Sequence, residues 1–114
     1  MNKTTDIEIA PSLNYCPVAR ALDLVGDRWT LLIVRDLLKT GSCRYQVLTE
    51  TLNVAPNTLS GRLKMLEANG FVERRFYSEY PPRAEYVLTD KGRSLKPIID
   101  SFRTWGKKNT EAPT

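Results

Sequence analysis

Ala55-Pro56-Asn57-Thr58-Leu59-Ser60-Gly61-Arg62-Leu63-Lys64-Met65-Leu66-Glu67-Ala68-Asn69-Gly70 is the stretch that decides the fold. Leu59, Leu63 and Leu66 recur at i, i+4 and i+7, which predicts a short helix with one inward stripe, ended by Gly70. At about 100° per residue the opposite side holds Asn57, Gly61, Lys64 and Ala68, flanked by Thr58, Ser60 and Met65. Arg62 falls nearer the core edge, where it can reach a phosphate or pair with an acid. Glycine costs a helix about 1 kcal/mol against alanine, so Gly61 on this short-chained polar face points to a close approach from outside.

Upstream, Arg44-Tyr45 leads into a short helix holding Val47, Leu48 and Leu52, and Asn53-Val54-Ala55-Pro56 turns into the helix above. Two short helices joined by a tight turn are a helix-turn-helix core. Downstream, Phe71 to Tyr77 and Glu85 to Leu88 are rich in β-branched and aromatic residues and pair as strands around a loop over residues 78–84. That loop carries Pro81-Pro82-Arg83. Arg83, stiffened there by two prolines, suits a narrow minor groove; its plain alternative is an ion pair with Glu79 or Glu85. Arg74 and Arg75 are neighbours on a strand and point to opposite faces, so at most one joins a DNA-facing set; the other pairs with an acid such as Glu73 or Glu85.

A helix that turns Asn57, Thr58, Ser60, Gly61 and Lys64 outward, backed by a hairpin with a basic tip, is what a winged helix-turn-helix needs to read double-stranded DNA. Set against that, an exposed polar face is commonly only a solvated one. The charge distribution supports the first reading weakly. Residues 1–38 hold four basic and five acidic side chains, residues 39–114 thirteen and eight, so the net charge of +4 resides in the C-terminal two-thirds.

The remaining chain supplies the scaffold. Residues 1–14 read as a loose, flexible N-terminal arm. A helix is expected from Pro17, with Val18, Ala21, Leu22 and Val25 on one face and Gly26 at its end. Asp27 is placed to cap a second helix, whose stripe is Trp29, Leu32, Ile33 and Leu37 and which Gly41 breaks. Thr89 caps a last helix with Leu95, Ile98, Ile99, Phe102 and Trp105 in a stripe, bent or restarted at Pro97 and followed by a disordered tail over 109–114. Tyr15 and the last-helix stripe can close the core of one chain, but a domain this small has few helices to bury them against. A helix at the chain end is a natural two-fold contact, which makes this stripe the expected dimer interface.

The fold class expected is therefore α+β, mostly α: a winged helix-turn-helix over residues 15–108, with a β-hairpin wing and N- and C-terminal dimerisation helices. At 114 residues one domain suffices. No apolar run approaches the ~20 residues of a membrane span, and the start lacks a signal-type apolar core, so a cytoplasmic protein is expected. Histidine is absent, which removes the commonest general base and zinc ligand and argues against a hydrolytic or metal-dependent enzyme; no metal and no cofactor are expected.

Two cysteines cannot build a disulfide framework and are read as free thiols. Cys16, directly before Pro17, takes the N-cap position of the first helix, where the helix dipole favours a thiolate and Arg20 adds to the effect. The alternative is an inert, buried small side chain. Cys43, in a linking strand beside Arg44, reads as structural.

Several strings taken together resemble the HxlR-type family of small bacterial winged-helix regulators of transcription. They are Cys16-Pro17-Val18, the run from Ala21 to Ile33, Arg35-Asp36-Leu37, Leu59 to Leu63, Leu66 to Arg74, Pro81 to Tyr86, and Leu88 to Gly92. The likeness covers about residues 15–106. It implies a homodimer on an inverted-repeat operator, with contacts between first and last helices across the two-fold axis; Tyr15, Val18, Leu22, Ile98, Ile99, Phe102 and Trp105 would form them. It carries Asn57, Thr58, Ser60, Gly61, Arg62 and Lys64 over as the reading helix and Arg83 as the wing contact. It also gives Cys16 the place of a cysteine that senses electrophiles or oxidants in some members; a small-molecule effector is left open. This chain departs from the family pattern at Ala55, where a serine would cap the reading helix, and at Val47, where an acid is usual.

Two other functions fit parts of the sequence. A winged-helix module that binds protein would show no DNA affinity and little salt dependence. A thiol redox enzyme built on Cys16 would want a resolving partner, for which Cys43 is the one candidate, with no Cys-x-x-Cys present.

Overall fold

The computed structural model describes residues 14–114, so all but the last residue of the expected arm lies outside the described residues. Helix α1 (Pro17–Val25) starts at its proline and stops at Gly26. Asp27 then organises the entry to α2 (Thr30–Thr40): its Oδ1 accepts from the backbone N–H of Trp29 and of Thr30, both at 2.9 Å, and its Oδ2 from the Thr30 hydroxyl. Burial alone would raise the Asp27 carboxyl, but those hydrogen bonds and the Arg62 guanidinium hold it below the ordinary aspartate value. The buried stripe of α2 is Thr30, Ile33, Val34 and Leu37; Trp29 and Leu32, expected in it, are only half-buried. The helix ends as expected at Gly41, whose φ of +84° a side chain would strain.

The linking segment around Cys43 is a strand, β1 (Ser42–Arg44), which buries that thiol. It leads straight into α3 (Tyr45–Leu52), and Asn53, in the left-handed conformation, turns the chain toward α4 (Pro56–Ala68). Val47, grouped with Leu48 and Leu52 by spacing, is exposed instead; Leu48 alone on α3 is fully buried.

The hairpin is longer than its sequence predicts. β2 (Val72–Glu79) and β3 (Pro82–Leu88) pair out to Glu79 opposite Pro82, leaving Tyr80 and Pro81 as the turn instead of a loop over 78–84. A bulge between Phe76 and Ser78 absorbs one residue and lets Ser78 face Arg83, and Pro82, as the first residue of its strand, needs no ladder N–H. β1 pairs antiparallel with the other edge of β3, so the sheet order is β1-β3-β2.

Of the bend or restart expected near Pro97, the structure shows a restart, so two helices follow Thr89. The Thr89 hydroxyl accepts from the Gly92 N–H at 3.1 Å and caps the single turn of α5 (Asp90–Arg93); α6 (Lys96–Asn109) restarts with Pro97 in its first turn. The core joins these elements through Ile33 and Leu37 of α2, Leu48, the Leu59/Leu63/Leu66 stripe of α4, Phe71 and Val72, Leu88, Leu95 and Ile99. It is mostly helical with one small antiparallel sheet, the winged helix-turn-helix expected.

Candidate nucleic-acid interface

Helix α4 is held by its three leucines and by one tyrosine. The Tyr45 hydroxyl donates to the backbone carbonyl of Pro56 at 2.9 Å and lies 3.1 Å from the Ser60 hydroxyl, which locks the start of α3 against the first turn of α4. In the sequence Tyr45 stands only as a lead-in to α3, because nothing in helical spacing reveals a contact fifteen residues away. Ser60 is consequently half-buried and engaged within the chain. No side chain caps α4 at Ala55, and neither Asn53 nor Asn57 substitutes.

The outward face is as expected: Asn57, Gly61 and Lys64 are exposed and Thr58 is half-buried. Nothing lies within 4 Å of the place a Cβ on Gly61 would take, so no contact inside the chain requires glycine there. Arg62 leans back instead of outward, with Nη1 3.5 Å from Asp27 Oδ2 across the α1–α2 corner. A partly exposed pair of that length contributes about 0–1 kcal/mol, so its effect is to orient Arg62 rather than to hold α4.

On the wing, Arg74 and Arg75 part company. Arg74 pairs with Glu67 of α4 at 3.2 Å, not with Glu73 or Glu85, and its guanidinium stacks over Phe76. Arg83 is exposed on β3, one residue inside the strand, and makes no ion pair with Glu79 or Glu85 among the described residues.

A second surface is apolar. Val18 and Leu22 of α1 stand exposed beside an exposed Tyr15, while α6 presents Ile98, Phe102 and Trp105, the last two 60% and 63% accessible. Ile99, grouped with them by sequence, is instead buried at 7% and belongs to the core of the single chain. The reason is rotation: Leu95 and Ile99 face α2, so residues 98, 102 and 105 lie on the adjoining, uncovered side of α6.

The two thiols differ in setting. Cys16 is the half-buried N-cap residue of α1, its side chain not hydrogen-bonded to the helix, while the Arg20 guanidinium donates to the Asn14 carbonyl at 2.8 Å. Cys43 is buried; burial pushes its thiol up from the ordinary value and the nearby Asp36 carboxylate adds to the shift. Among the described residues there is no group of acidic or cysteine side chains placed to hold a metal ion, and no helix is long and apolar enough to cross a membrane.

Comparison with known proteins agrees with this geometry. Residues 24–114 match the model of the HxlR-like helix-turn-helix family. A helix-turn-helix-type transcriptional regulator of Halalkalibacterium halodurans is 38% identical over 94 residues, covering 82% of this chain and 83% of the relative. Among solved structures, the redox regulator HypR in its oxidised form superposes with a TM-score of 0.77 at 33% identity, over 85% of this chain and all of that one. The reduced form of the transcriptional regulator YodB from Bacillus subtilis superposes with a TM-score of 0.69 at 31% identity, over 94% of this chain and all of that one. With a helix-turn-helix, a wing and a match across most of its length, the chain belongs to the HxlR-like family of helix-turn-helix transcriptional regulators.

Proposed function

We propose that two copies of this chain pair through α1 and α6 and that the pair reads an inverted-repeat operator, each copy laying α4 in a major groove with its wing alongside. The observation that carries the reading is the outward face of α4: Asn57, Gly61 and Lys64 are exposed, and the glycine costs helix stability for which nothing inside the chain compensates. The pairing rests on Val18, Leu22, Ile98, Phe102 and Trp105, all exposed in the single chain. Residues 15–108 act in this reading as one DNA-binding and dimerisation unit, and the protein works in the cytoplasm without a cofactor.

Lys64→Ala and Arg83→Ala are expected to weaken binding to duplex DNA while leaving fold and dimer intact. Each lost phosphate contact lowers the slope of log affinity against log salt by about 0.9. Unchanged affinity and slope in both variants would remove these residues from the interface. Binding to a protein partner that is insensitive to salt, with no affinity for duplex DNA, would favour the protein-docking alternative.

The setting of the thiols supports a second element, that Cys16 makes binding responsive to electrophiles or oxidants. It sits at the N-terminus of the helix that carries Val18 and Leu22, so a modified sulfur there changes how two copies meet and hence the spacing of their reading helices. Cys16 is expected to be alkylated first, with Cys43 lagging because it is buried and its thiol is pushed up. Alkylation rates of Cys16→Ser and Cys43→Ser proteins, with operator affinity before and after diamide, check this. If Cys16 reacts no faster than Cys43 and modification leaves affinity untouched, it is only a packing residue.

A further inference from the structure

The strand register sorts the wing's arginines into two groups that the sequence does not distinguish. Residues directly opposite one another in an antiparallel pair share a face. Arg44 of β1 lies opposite Glu85 of β3, and Glu85 opposite Arg75 of β2, so Arg44, Glu85 and Arg75 form one row across the sheet. Ser78 faces Arg83 in the pair next to Phe76 and Ala84, which puts Arg83 on the face of that row, two residues along β3 from Glu85. The Arg44 guanidinium lies 4.7 Å over the Tyr77 ring, which places Tyr77 on this face as well. The other face carries Cys43, Val72, Tyr86 and Leu88 toward the core, and with them Arg74.

The two groups also differ in whether their charge is satisfied. Arg74 is paired with Glu67, and Arg62, Arg35, Arg93 and Arg103 each have a carboxylate within ion-pair reach. Among the described residues Arg44, Arg75 and Arg83 have none, although all three are exposed and Glu85 lies between them in the ladder. These three guanidinium groups share their side of the sheet with the carboxylates of Glu85 and Glu73, which leaves the face with a net positive charge that attracts a further anion. Arg44 moreover directly precedes Tyr45, whose hydroxyl touches Pro56 and Ser60 in the first turn of α4. Tyr45 thus ties the end of β1, next to Arg44, to the start of the helix proposed to enter the groove.

Resting on the DNA-reading proposal above, we infer that Arg44 and Arg75, with Arg83, form a phosphate-tracking face on the wing sheet, and that Arg74 has no part in it. The face takes the sugar-phosphate backbone of duplex DNA, since its exposed guanidinium groups are bidentate donors whose geometry matches phosphate oxygens. Tyr77 is a positioning residue that holds the Arg44 guanidinium on that side by stacking.

The test is binding to a random-sequence duplex across a salt series, by the full chain and its Arg44→Ala, Arg75→Ala and Arg74→Ala variants. Each of the first two is expected to lower the magnitude of the salt slope by about 0.9 and to weaken binding to all sequences alike; Arg74→Ala leaves the slope unchanged. Arg44→Lys and Arg75→Lys keep the charge and so keep most of the slope, which separates lost charge from altered fold. Wild-type binding with a steep slope that neither alanine variant changes, or that Arg74→Ala reduces as much, overturns this inference and leaves the reading helix standing. A wild-type chain with no salt-dependent affinity for duplex DNA overturns both.

Discussion

Phe102→Glu is expected to abolish the dimer at micromolar concentration and operator binding with it. Phe102 is mostly accessible in the single chain and lies between Ile98 and Trp105 on the uncovered side of α6, so the folded monomer tolerates a carboxylate there. In a two-fold interface each substitution is made twice, and an unpaired buried charge costs about 3 kcal/mol or more, which is enough to lower association by several orders of magnitude. One copy presents one reading helix, and a two-fold operator needs two. Sedimentation of the variant alone should give a monomer with unchanged secondary structure; a variant that still sediments as a dimer would move the interface off α6.

Gly92→Ala is expected to destabilise the chain strongly. Gly92 is buried in the turn of α5, where a Cβ would stand 2.2 Å from the Phe71 carbonyl oxygen and 2.8 Å from Leu88 Cδ2. The first of these is backbone, fixed by the hydrogen bond from the Thr89 N–H to the same oxygen at 3.1 Å, and cannot swing aside as a side chain would. Separating α5 from the strand it caps costs about 3 kcal/mol, the upper range for overpacking, and lowers Tm by about 10 °C or more. Thermal unfolding by circular dichroism reads this directly. A Tm within a degree or two of wild type would mean that α5 does not sit against Phe71.

What could be read from the sequence follows from the range of the interaction. The leucine stripe of α4, the cap by Asp27 and the start of α1 at Pro17 depend on neighbours within four residues, and each is found where its pattern places it; Thr89 caps the short α5 and not the helix that carries the apolar stripe. Helical spacing also grouped residues that a third element separates: Ile99 goes to the core because α2 covers it, and Val47 to solvent because nothing does. The bulge at Tyr77 illustrates the same limit within the wing. A single inserted residue reassigns the faces of β2 beyond it, so that Ser78 and not Tyr77 comes opposite Arg83, and only the cross-strand register brings Arg44 and Arg75 onto the face that Arg83 shares with Glu85. Arg62 read as able either to reach a phosphate or to pair with an acid, and only the fold brings Asp27 within 3.5 Å of it.

The central claim, a two-fold pair of reading helices on duplex DNA, is tested most directly by selecting bound sequences from a random duplex pool with the purified chain and footprinting the winners. The expected result is enrichment of an inverted repeat, protected as two equivalent half-sites whose centres lie about one helical turn, or a multiple of it, apart on one face of the duplex. No enrichment over the starting pool, or a single asymmetric protected segment bound by one copy, would contradict it.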